Sequence, residues 1–449
     1  MAGAWLMAVY VGWMAVRGAG GDAARTLLLA LDAVPFRVAA EAVSRGAFAG
    51  WAAPSALVAP FPSLTHVGFA ALFEPFGVGP SWGYEVRYFD AAANRMAGGN
   101  PLTYRHEMEP WCELIDEQRR GVVSKVADYV SAPRAAAAEL DKVFRHLLVS
   151  PRDLVIAYVG ATDGFAHLYQ DDRLVQFLAG LDAQIRDLAV RHEEQRGCGL
   201  RIVLFSDHGC GRDPVHYTGS FRPLLRAAGL RVVDHLEAPQ DVVAPTFGTV
   251  NYSALFLKDA ARAEAAARVM ATHGAVDLAA FSPGPGLVEV VGRSGRARVR
   301  WHGPAGHVRY ACEDLAGDPL GLSSARRRLA AAGRLDRDGF AHQDDWLAET
   351  AFGRYPDPLR RLALAFTGGR VGSRASVLLS LGPGWSWGWR SAYAGGLVRA
   401  GHLKGTHGGL DRGSTLGFLT VNDPGLRPPP VVRAEDALAP FASAVHAAR

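Results

Sequence analysis

The sequence has few cysteines and little net charge. Four cysteines occur among 449 residues, and no pair has the C-x-x-C spacing of a cysteine-rich zinc site or a thioredoxin motif. The formal net charge is +4, and the basic residues are scattered, with Arg326–Arg328 as the densest run. We therefore expect no nucleic-acid-binding surface. The even cysteine count permits disulfides without showing them, so it does not decide whether the protein works in an oxidising or a reducing compartment.

Other features that would define a fold class are also missing. The chain has no internal repeat and no low-complexity segment, and no G-x-G-x-x-G follows its first apolar run. These absences exclude solenoids and argue against a dinucleotide-dependent dehydrogenase. Hydrophobic residues make up 49% of the chain, so it can bury a large core. Composition also excludes a coiled coil, a collagen or a disulfide miniprotein.

The N-terminal segment has no charged side chain over residues 1–16. It is shorter than the roughly 20 apolar residues of a membrane span. It also lacks the basic start of a secretory signal, because the first positive side chain is Arg17. Three interpretations stay open: a helix packed on the domain, an anchor or signal remnant, and a misassigned start. Membrane contact through residues 1–16 therefore stays open, and so does a cytoplasmic, membrane-associated or exported location.

Three apolar runs predict strands that are buried on both faces. They cover Thr26–Leu31, Asp153–Val159 and Arg201–Ser206. Apolar residues at helical spacing lie between them, at Ala135–Leu148 and Leu174–Leu188. This alternation predicts an α/β fold: a doubly wound, mostly parallel sheet with helices on both faces and an inserted α+β cap subdomain.

The pattern changes after about residue 233, where short strand-like runs and a Gly292–Gly295 hairpin turn replace the alternation. We expect four units, namely an apolar N-terminal segment (1–24), the first part of the core (25–239), the inserted cap with its connections (240–395) and the final part of the core (396–449).

Acidic residues follow the three predicted core strands. Asp32, Asp163 and Asp207 each lie at or just beyond a strand end. Since sites in open α/β sheets form at the carboxyl ends of the strands, these carboxylates should share one edge. Unpaired, they would repel one another, and a bound cation would remove that cost. An aspartate after a strand is also an ordinary turn or N-cap residue, so each one alone is weak support.

Histidines accompany these carboxylates. Asp163 and His167 are four residues apart, which places both on one face of a helix. His208 follows Asp207 directly, and His407 lies in a glycine-flanked loop. Aspartate and histidine together suit Zn²⁺ or Mn²⁺, and the lack of cysteine ligands favours a catalytic site over a structural one.

Thr65 is the candidate nucleophile. It lies just before an apolar helical run that begins at Phe69. A hydroxyl at a helix N-terminus meets free backbone N–H groups, which bind anions. A plain N-cap role is the alternative.

Taken in order, these residues resemble the alkaline phosphatase superfamily, in particular its nucleotide pyrophosphatase/phosphodiesterase and phosphonoacetate hydrolase branch. The motifs are Asp32, PSLTH around Thr65, D-x-x-x-H at Asp163 and His167, SDHG at Ser206–Gly209 and GTHGG around His407. The resemblance covers about residues 25–235 and 395–425.

The resemblance implies a metal-dependent hydrolase of small phosphoric esters with two divalent ions, Zn²⁺ first and Mn²⁺ as the alternative. One ion would be held by Asp163, His167 and His407, and the other by Asp32, Asp207 and His208. Thr65 would attack phosphorus and form a phospho-threonine. A phosphomutase or phosphoryl transferase on the same scaffold, and an inactive ligand-binding relative, are the alternatives.

The sequence departs from this branch in two places. Gly68 stands where the branch often has an asparagine, and Phe73–Pro75 replace the Thr-Gly that usually closes the nucleophile helix. Both departures affect the expected identity of the substrate more than the expectation of metal binding. The Cys/Ser-x-Pro-x-Arg motif of sulfatases is absent, which argues against sulfate esters.

Overall fold

The computed structural model describes residues 14–15, 25–99, 109–118, 130–246, 248–388 and 403–448. Of the predicted N-terminal unit, residues 1–13 and 16–24 lie outside this part. Met14–Ala15 pair antiparallel with Leu426–Arg427. Among the described residues, no helix combines the length and hydropathy of a transmembrane segment.

The strands of the described chain are β1 Met14–Ala15, β2 Arg25–Leu31, β3 Ser55–Val58, β4 Arg87–Asp90, β5 Arg95–Gly98, β6 Glu117–Gln118, β7 Leu154–Val159, β8 Leu200–Phe205, β9 His216–Tyr217, β10 Arg231–Val232, β11 Asp241–Val243 and β12 Thr249–Val250. They continue with β13 Tyr252–Leu257, β14 Val276–Gly284, β15 Leu287–Gly292, β16 Gly295–His302, β17 Arg309–Gly317, β18 Ala341–His342, β19 Val377–Leu381, β20 Trp385–Gly388, β21 Leu416–Val421, β22 Leu426–Arg427 and β23 Val431–Arg433.

The α-helices of the described chain are α1 Phe36–Ser44, α2 Thr65–Leu72, α3 Ala132–Val149, α4 Ala161–Leu168, α5 Asp171–Arg196, α6 Arg222–Ala227, α7 Ala263–Met270, α8 Ser323–Ala331, α9 Gln343–Thr350, α10 Pro358–Thr367, α11 Arg412–Thr415, α12 Ala434–Ala437 and α13 Ala442–Ala448.

The first large sheet has seven strands in the order β23-β3-β21-β8-β2-β7-β6. Its pairs are parallel except where β21 runs antiparallel to β3 and β8. Leu27 and Leu29 of β2 join the core cluster of α1, α3 and α5, whereas Leu28 and Ala30 join the cluster of α2, α12 and α13. Because alternate residues bury against helices on opposite faces, the run is apolar without interruption. The predicted α/β class is confirmed.

The second large sheet has nine strands in the order β10-β11-β13-β19-β14-β15-β16-β17-β18. It is antiparallel apart from the β10–β11 pair. The predicted hairpin joins β15 to β16, with Gly292 opposite Gly295. This sheet begins at Arg231, and the chain then returns to the first sheet with β21 and β23. The division into four units stays a prediction.

Three neighbouring strands of the first sheet position the candidate site. β8, β2 and β7 lie side by side in parallel, so their carboxyl ends meet at one edge. Asp32 directly follows β2, Asp207 lies two residues beyond β8, and Asp163 lies in the first turn of α4 after β7. Their proximity therefore follows from strand direction and register.

Candidate metal centre and nucleophile

Seven predicted site residues meet at this edge of the sheet. Six form two groups, Asp163 with His167 and His407, and Asp32 with Asp207 and His208. Within each group, one candidate ligand atom per residue lies within 4.8 Å of the others. Thr65 Oγ1 lies 3.4 Å from Asp32 Oδ1 and 3.4 Å from His208 Nε2. The grouping is the one that the motif resemblance implies, while the roles of the residues stay predictions.

All three imidazole rings are oriented by backbone carbonyls. Nδ1 lies 2.9 Å from Gly405 O in His167, 2.9 Å from Gly209 O in His208 and 3.2 Å from Ser63 O in His407. Because a carbonyl only accepts, Nδ1 carries a proton in each ring, and Nε2 keeps its lone pair whenever the ring is neutral. Such outer hydrogen bonds are typical of histidines that bind metal ions through Nε2.

The Nε2 atoms face carboxylate oxygens. His167 Nε2 and His407 Nε2 lie 3.3 Å and 3.2 Å from the same oxygen, Asp163 Oδ1. The rings of His208 and His407 stack with centroids 4.1 Å apart, so the two groups adjoin. Lone pairs that converge at these distances need a proton or a cation between them.

Asp207 gives the sharpest test of whether the site fits a cation. Its Oδ1 accepts the Ala33 N–H at 3.2 Å, and Ala33 adopts a left-handed φ of 59°, a conformation that costs about 1–3 kcal/mol outside glycine. Its Oδ2 is buried and accepts no hydrogen bond within the described chain, although His208 Nε2 is 3.2 Å away. A buried carboxylate oxygen without a partner is destabilising, and a divalent ion would satisfy it. The donor set therefore fits Zn²⁺ or Mn²⁺.

Burial controls the protonation of the site. It raises the pKa of Asp207 to about 7 and lowers the pKa values of His208 and His407 to about 4 each. Burial would also raise the pKa of Asp163, but the neighbouring His167 holds it well below its usual range. For His167, burial acts to lower the pKa, and Asp163 raises it above its ordinary value. At neutral pH, His208 and His407 are therefore neutral, the form that binds a metal ion.

Tyr158 is a site residue that the sequence did not reveal. Its hydroxyl donates a hydrogen bond to Asp32 Oδ2, and its ring packs edge-on against Phe69, with centroids 5.2 Å apart. Burial, reinforced by the negative charge of Asp32, raises the pKa of Tyr158 well above its ordinary value. Tyr158 therefore stays a hydrogen-bond donor. In the sequence it is one more apolar-strand residue of β7, and nothing local marks it.

Two glycines allow close backbone approach. A Cβ on Gly209 would lie 2.4 Å from Gly413 O, so the SDHG turn packs directly on the start of α11. A Cβ on Gly68 would lie 3.0 Å from Asp207 O and 3.1 Å from Asp207 Cβ. Helix α2 therefore packs tightly against Asp207. A larger residue at position 68 would require Asp207 or α2 to shift by a few tenths of an ångström.

Asn251, just before β13, holds the loop of His407, and the next residue, Tyr252, binds a buried carboxylate. Asn251 N donates to His407 O at 2.8 Å, and Asn251 Oδ1 accepts the Gly409 N–H at 2.5 Å. Tyr252 donates its hydroxyl to Glu85 Oε1 at 2.9 Å, and the Gly248 N–H donates to Glu85 Oε2 at 2.6 Å. Desolvation by the surrounding groups raises the pKa of the Glu85 carboxyl to about 7.

Replacing Glu85 by glutamine should change how stability depends on pH. A carboxyl whose pKa is raised in the folded state stabilises it in the protonated form, and this contribution is lost as pH rises from about 4.5 through about 7. Glutamine resembles the protonated form at every pH. We expect metal-free Glu85→Gln to match the wild type near pH 5 and to exceed its stability at pH 8, by at most about 3 kcal/mol because the side chain is half-buried.

Urea unfolding at the two pH values measures this difference. Glu41→Gln, at an exposed carboxylate of α1, is the control and should show no change between pH 5 and pH 8. A Glu85→Gln effect of the same size at both pH values would contradict the prediction.

Comparison with known proteins finds matches among solved structures. No protein-family model and no curated protein matches the sequence. Human ectonucleotide pyrophosphatase/phosphodiesterase 5 aligns over 94% of this chain and 95% of its own, with 10% identity and a TM-score of 0.47. Phosphonoacetate hydrolase from Sinorhizobium meliloti, in complex with phosphonoformate, aligns over 95% and 96%, with 13% identity and a TM-score of 0.46. Similarity this distant does not transfer an activity.

Proposed function

We propose that the protein is a two-metal phosphoric ester hydrolase that acts through a phospho-threonine on Thr65. The observation that carries this proposal is the arrangement of six acidic and imidazole side chains, in two groups, beside one hydroxyl at a helix N-terminus. The order of the motifs along the chain, which resembles that of the nucleotide pyrophosphatase/phosphodiesterase branch, supports the same reaction.

Asp163, His167 and His407 would hold one ion, and Asp32, Asp207 and His208 the other. When bound, two divalent ions supply Lewis-acid stabilisation for the attacking and leaving oxygens of phosphoryl transfer. Zn²⁺ suits the donor set best, with Mn²⁺ as the alternative.

In this proposal Thr65 attacks phosphorus, and its surroundings support that role. Its side chain is half-buried, whereas Asp32 and His208 are buried behind it, so a substrate can reach the hydroxyl from solvent. The first backbone N–H groups of α2 have no partner within the helix and can bind phosphoryl oxygens. In the first step the Thr65 Oγ1–P bond forms, the bond from phosphorus to the leaving oxygen breaks, and the proton of the Thr65 hydroxyl ends on the leaving oxygen. In the second step a water oxygen bonds to phosphorus, the Oγ1–P bond breaks, one water proton returns to Thr65 Oγ1, and the phosphate product leaves.

Metal removal and restoration test the proposal. The protein is stripped with a chelator, and nitrophenyl phosphate, bis-nitrophenyl phosphate and nitrophenyl sulfate are assayed with and without Zn²⁺ or Mn²⁺. We expect at least one phosphoric ester to be hydrolysed, with a metal-dependent gain of roughly 10³-fold or more, equivalent to about 4 kcal/mol, and the sulfate ester to react poorly. Full activity in the metal-free protein would contradict the proposed metal dependence. Glycerol as an added acceptor separates hydrolysis from transfer, because a transferase would form glycerol phosphate.

A further inference from the structure

Arg361 of α10 joins two loops of the candidate site. Its side chain is buried, at 4% exposure. Nη2 donates to Ser63 Oγ at 2.9 Å and to Pro60 O at 3.3 Å, and Nη1 donates to Leu410 O at 3.0 Å and to Pro356 O at 3.1 Å. One guanidinium therefore contacts both the segment before Thr65 and the segment after His407.

Ser63 connects this guanidinium to the site itself. Its carbonyl oxygen lies 3.2 Å from His407 Nδ1 and orients that ring, and its N–H donates to Gly408 O at 3.2 Å. Ser63 is also two residues before Thr65, in the turn that leads into α2. A displacement of Ser63 would therefore move His407 and Thr65 together.

Arg361 differs from the arginines around it in having no direct ion-pair partner within the described chain. Arg360 pairs with Glu435 at 2.8 Å, and Arg433 pairs with Asp357 at 2.7 Å. Within the described chain, Arg361 has no carboxylate at ion-pair distance, and its Nε makes no hydrogen bond. Asp357 and Asp411 act on it only from a longer distance, and a buried guanidinium without a direct ion pair is costly for stability. Stability alone therefore does not explain an arginine at this position, whereas its hydrogen bonds to the two loops of the candidate site do.

We propose that Arg361 is a positioning residue that acts through Ser63 to hold His407 and Thr65 in their reactive arrangement. The inference deepens the proposed function and rests on it. The planar fork of arginine matches this task, because its two terminal nitrogens reach four acceptors on separate segments at once. A lysine keeps the charge but cannot span these acceptors.

The main test compares Arg361→Lys with Arg360→Lys, a control on the same helix whose guanidinium contacts neither loop. For Arg361→Lys we expect kcat to fall roughly 10- to 100-fold with KM within about threefold. In titrations with Zn²⁺ alone, one of the two ions should bind about tenfold more weakly, because only His407 depends on Ser63, and the other should be unaffected. Arg360→Lys should lower the melting temperature while keeping kcat and both Zn²⁺ affinities.

Ser63→Ala provides a second variant in case Arg361→Lys folds poorly. It removes the Oγ acceptor but keeps the carbonyl that orients His407, so a smaller loss of kcat is expected. The double variant should lose no more than Arg361→Lys alone, because both changes break one chain of contacts. Additive losses would overturn the coupling through Ser63.

The two proposals fail in different ways. Esters hydrolysed equally fast by Arg361→Lys and Arg360→Lys, or Zn²⁺ affinities weakened equally at both sites, would overturn the Arg361 inference alone. A wild type that binds two Zn²⁺ ions but turns over no phosphoric ester would overturn the proposed function. The selective weakening of one Zn²⁺ site would still decide whether Arg361 positions His407.

Discussion

Thr65→Ala is expected to lose at least roughly 10⁴-fold in turnover while binding both metal ions as the wild type does. The hydroxyl is the nucleophile in the proposed route, and no other hydroxyl in the described chain lies within hydrogen-bonding distance of both Asp32 and His208. Thr65 is not one of the six candidate ligands, so truncating its side chain to the methyl group of alanine leaves both ligand groups complete. A Thr65→Ala variant that loses turnover but still binds both metal ions would show that Thr65 acts as the nucleophile and not as a metal ligand.

The measurement combines steady-state rates, metal analysis and acid-quenched mass spectrometry. Wild-type protein quenched during turnover should carry one phosphoryl group on Thr65, and Thr65→Ala should carry none. Thr65→Ser is the matched control, because it keeps the hydroxyl at the N-terminus of α2, and it should retain a measurable fraction of the rate. A Thr65→Ala variant with most of the wild-type rate would instead point to direct attack by water.

The sequence was sufficient to predict that the candidate ligands at strand ends lie close together. Asp32 and Asp207 follow β2 and β8, which pair in register, so parallel geometry turns a separation of 175 residues into neighbouring positions. The spacing of Asp163 and His167 likewise requires only one turn of helix. The fold class follows from the same apolar runs, because strands covered on both faces have no polar alternation.

The supporting contacts could not be predicted, because they lack a local pattern. Arg361 reaches Ser63 across 298 residues, and its target is a hydroxyl that any turn can contain. Tyr158 and Asp32 are 126 residues apart, and a tyrosine within an apolar strand is ordinary. Carbonyl groups that orient imidazoles belong to every residue, so sequence cannot single out Gly405 or Ser63 for this role.

Asp207→Asn is expected to remove one equivalent of bound metal and roughly 10³-fold or more of turnover without destabilising the metal-free fold. The amide keeps the shape of the side chain, and its oxygen can still accept the Ala33 N–H. It removes the negative charge of an oxygen that is buried and accepts no hydrogen bond within the described chain. Since a buried carboxylate without a partner is destabilising, the metal-free variant should melt at the same temperature as the wild type or higher.

Asp182→Asn is the matched control for this experiment. Asp182 is also buried, but it lies on α5 and pairs with Arg186 four residues later. Its amide variant should lose stability, because Arg186 loses its counter-ion, and should keep both ions and full turnover. Metal content, melting temperature with and without Zn²⁺, and kcat are compared for the two variants. If Asp207→Asn kept two ions, Asp207 would not be a metal ligand, and the proposed two-ion site would lose one of its six ligands. If both variants lost stability alike in the metal-free state, the unpartnered oxygen of Asp207 would not be the destabilising feature that the metal-site argument requires.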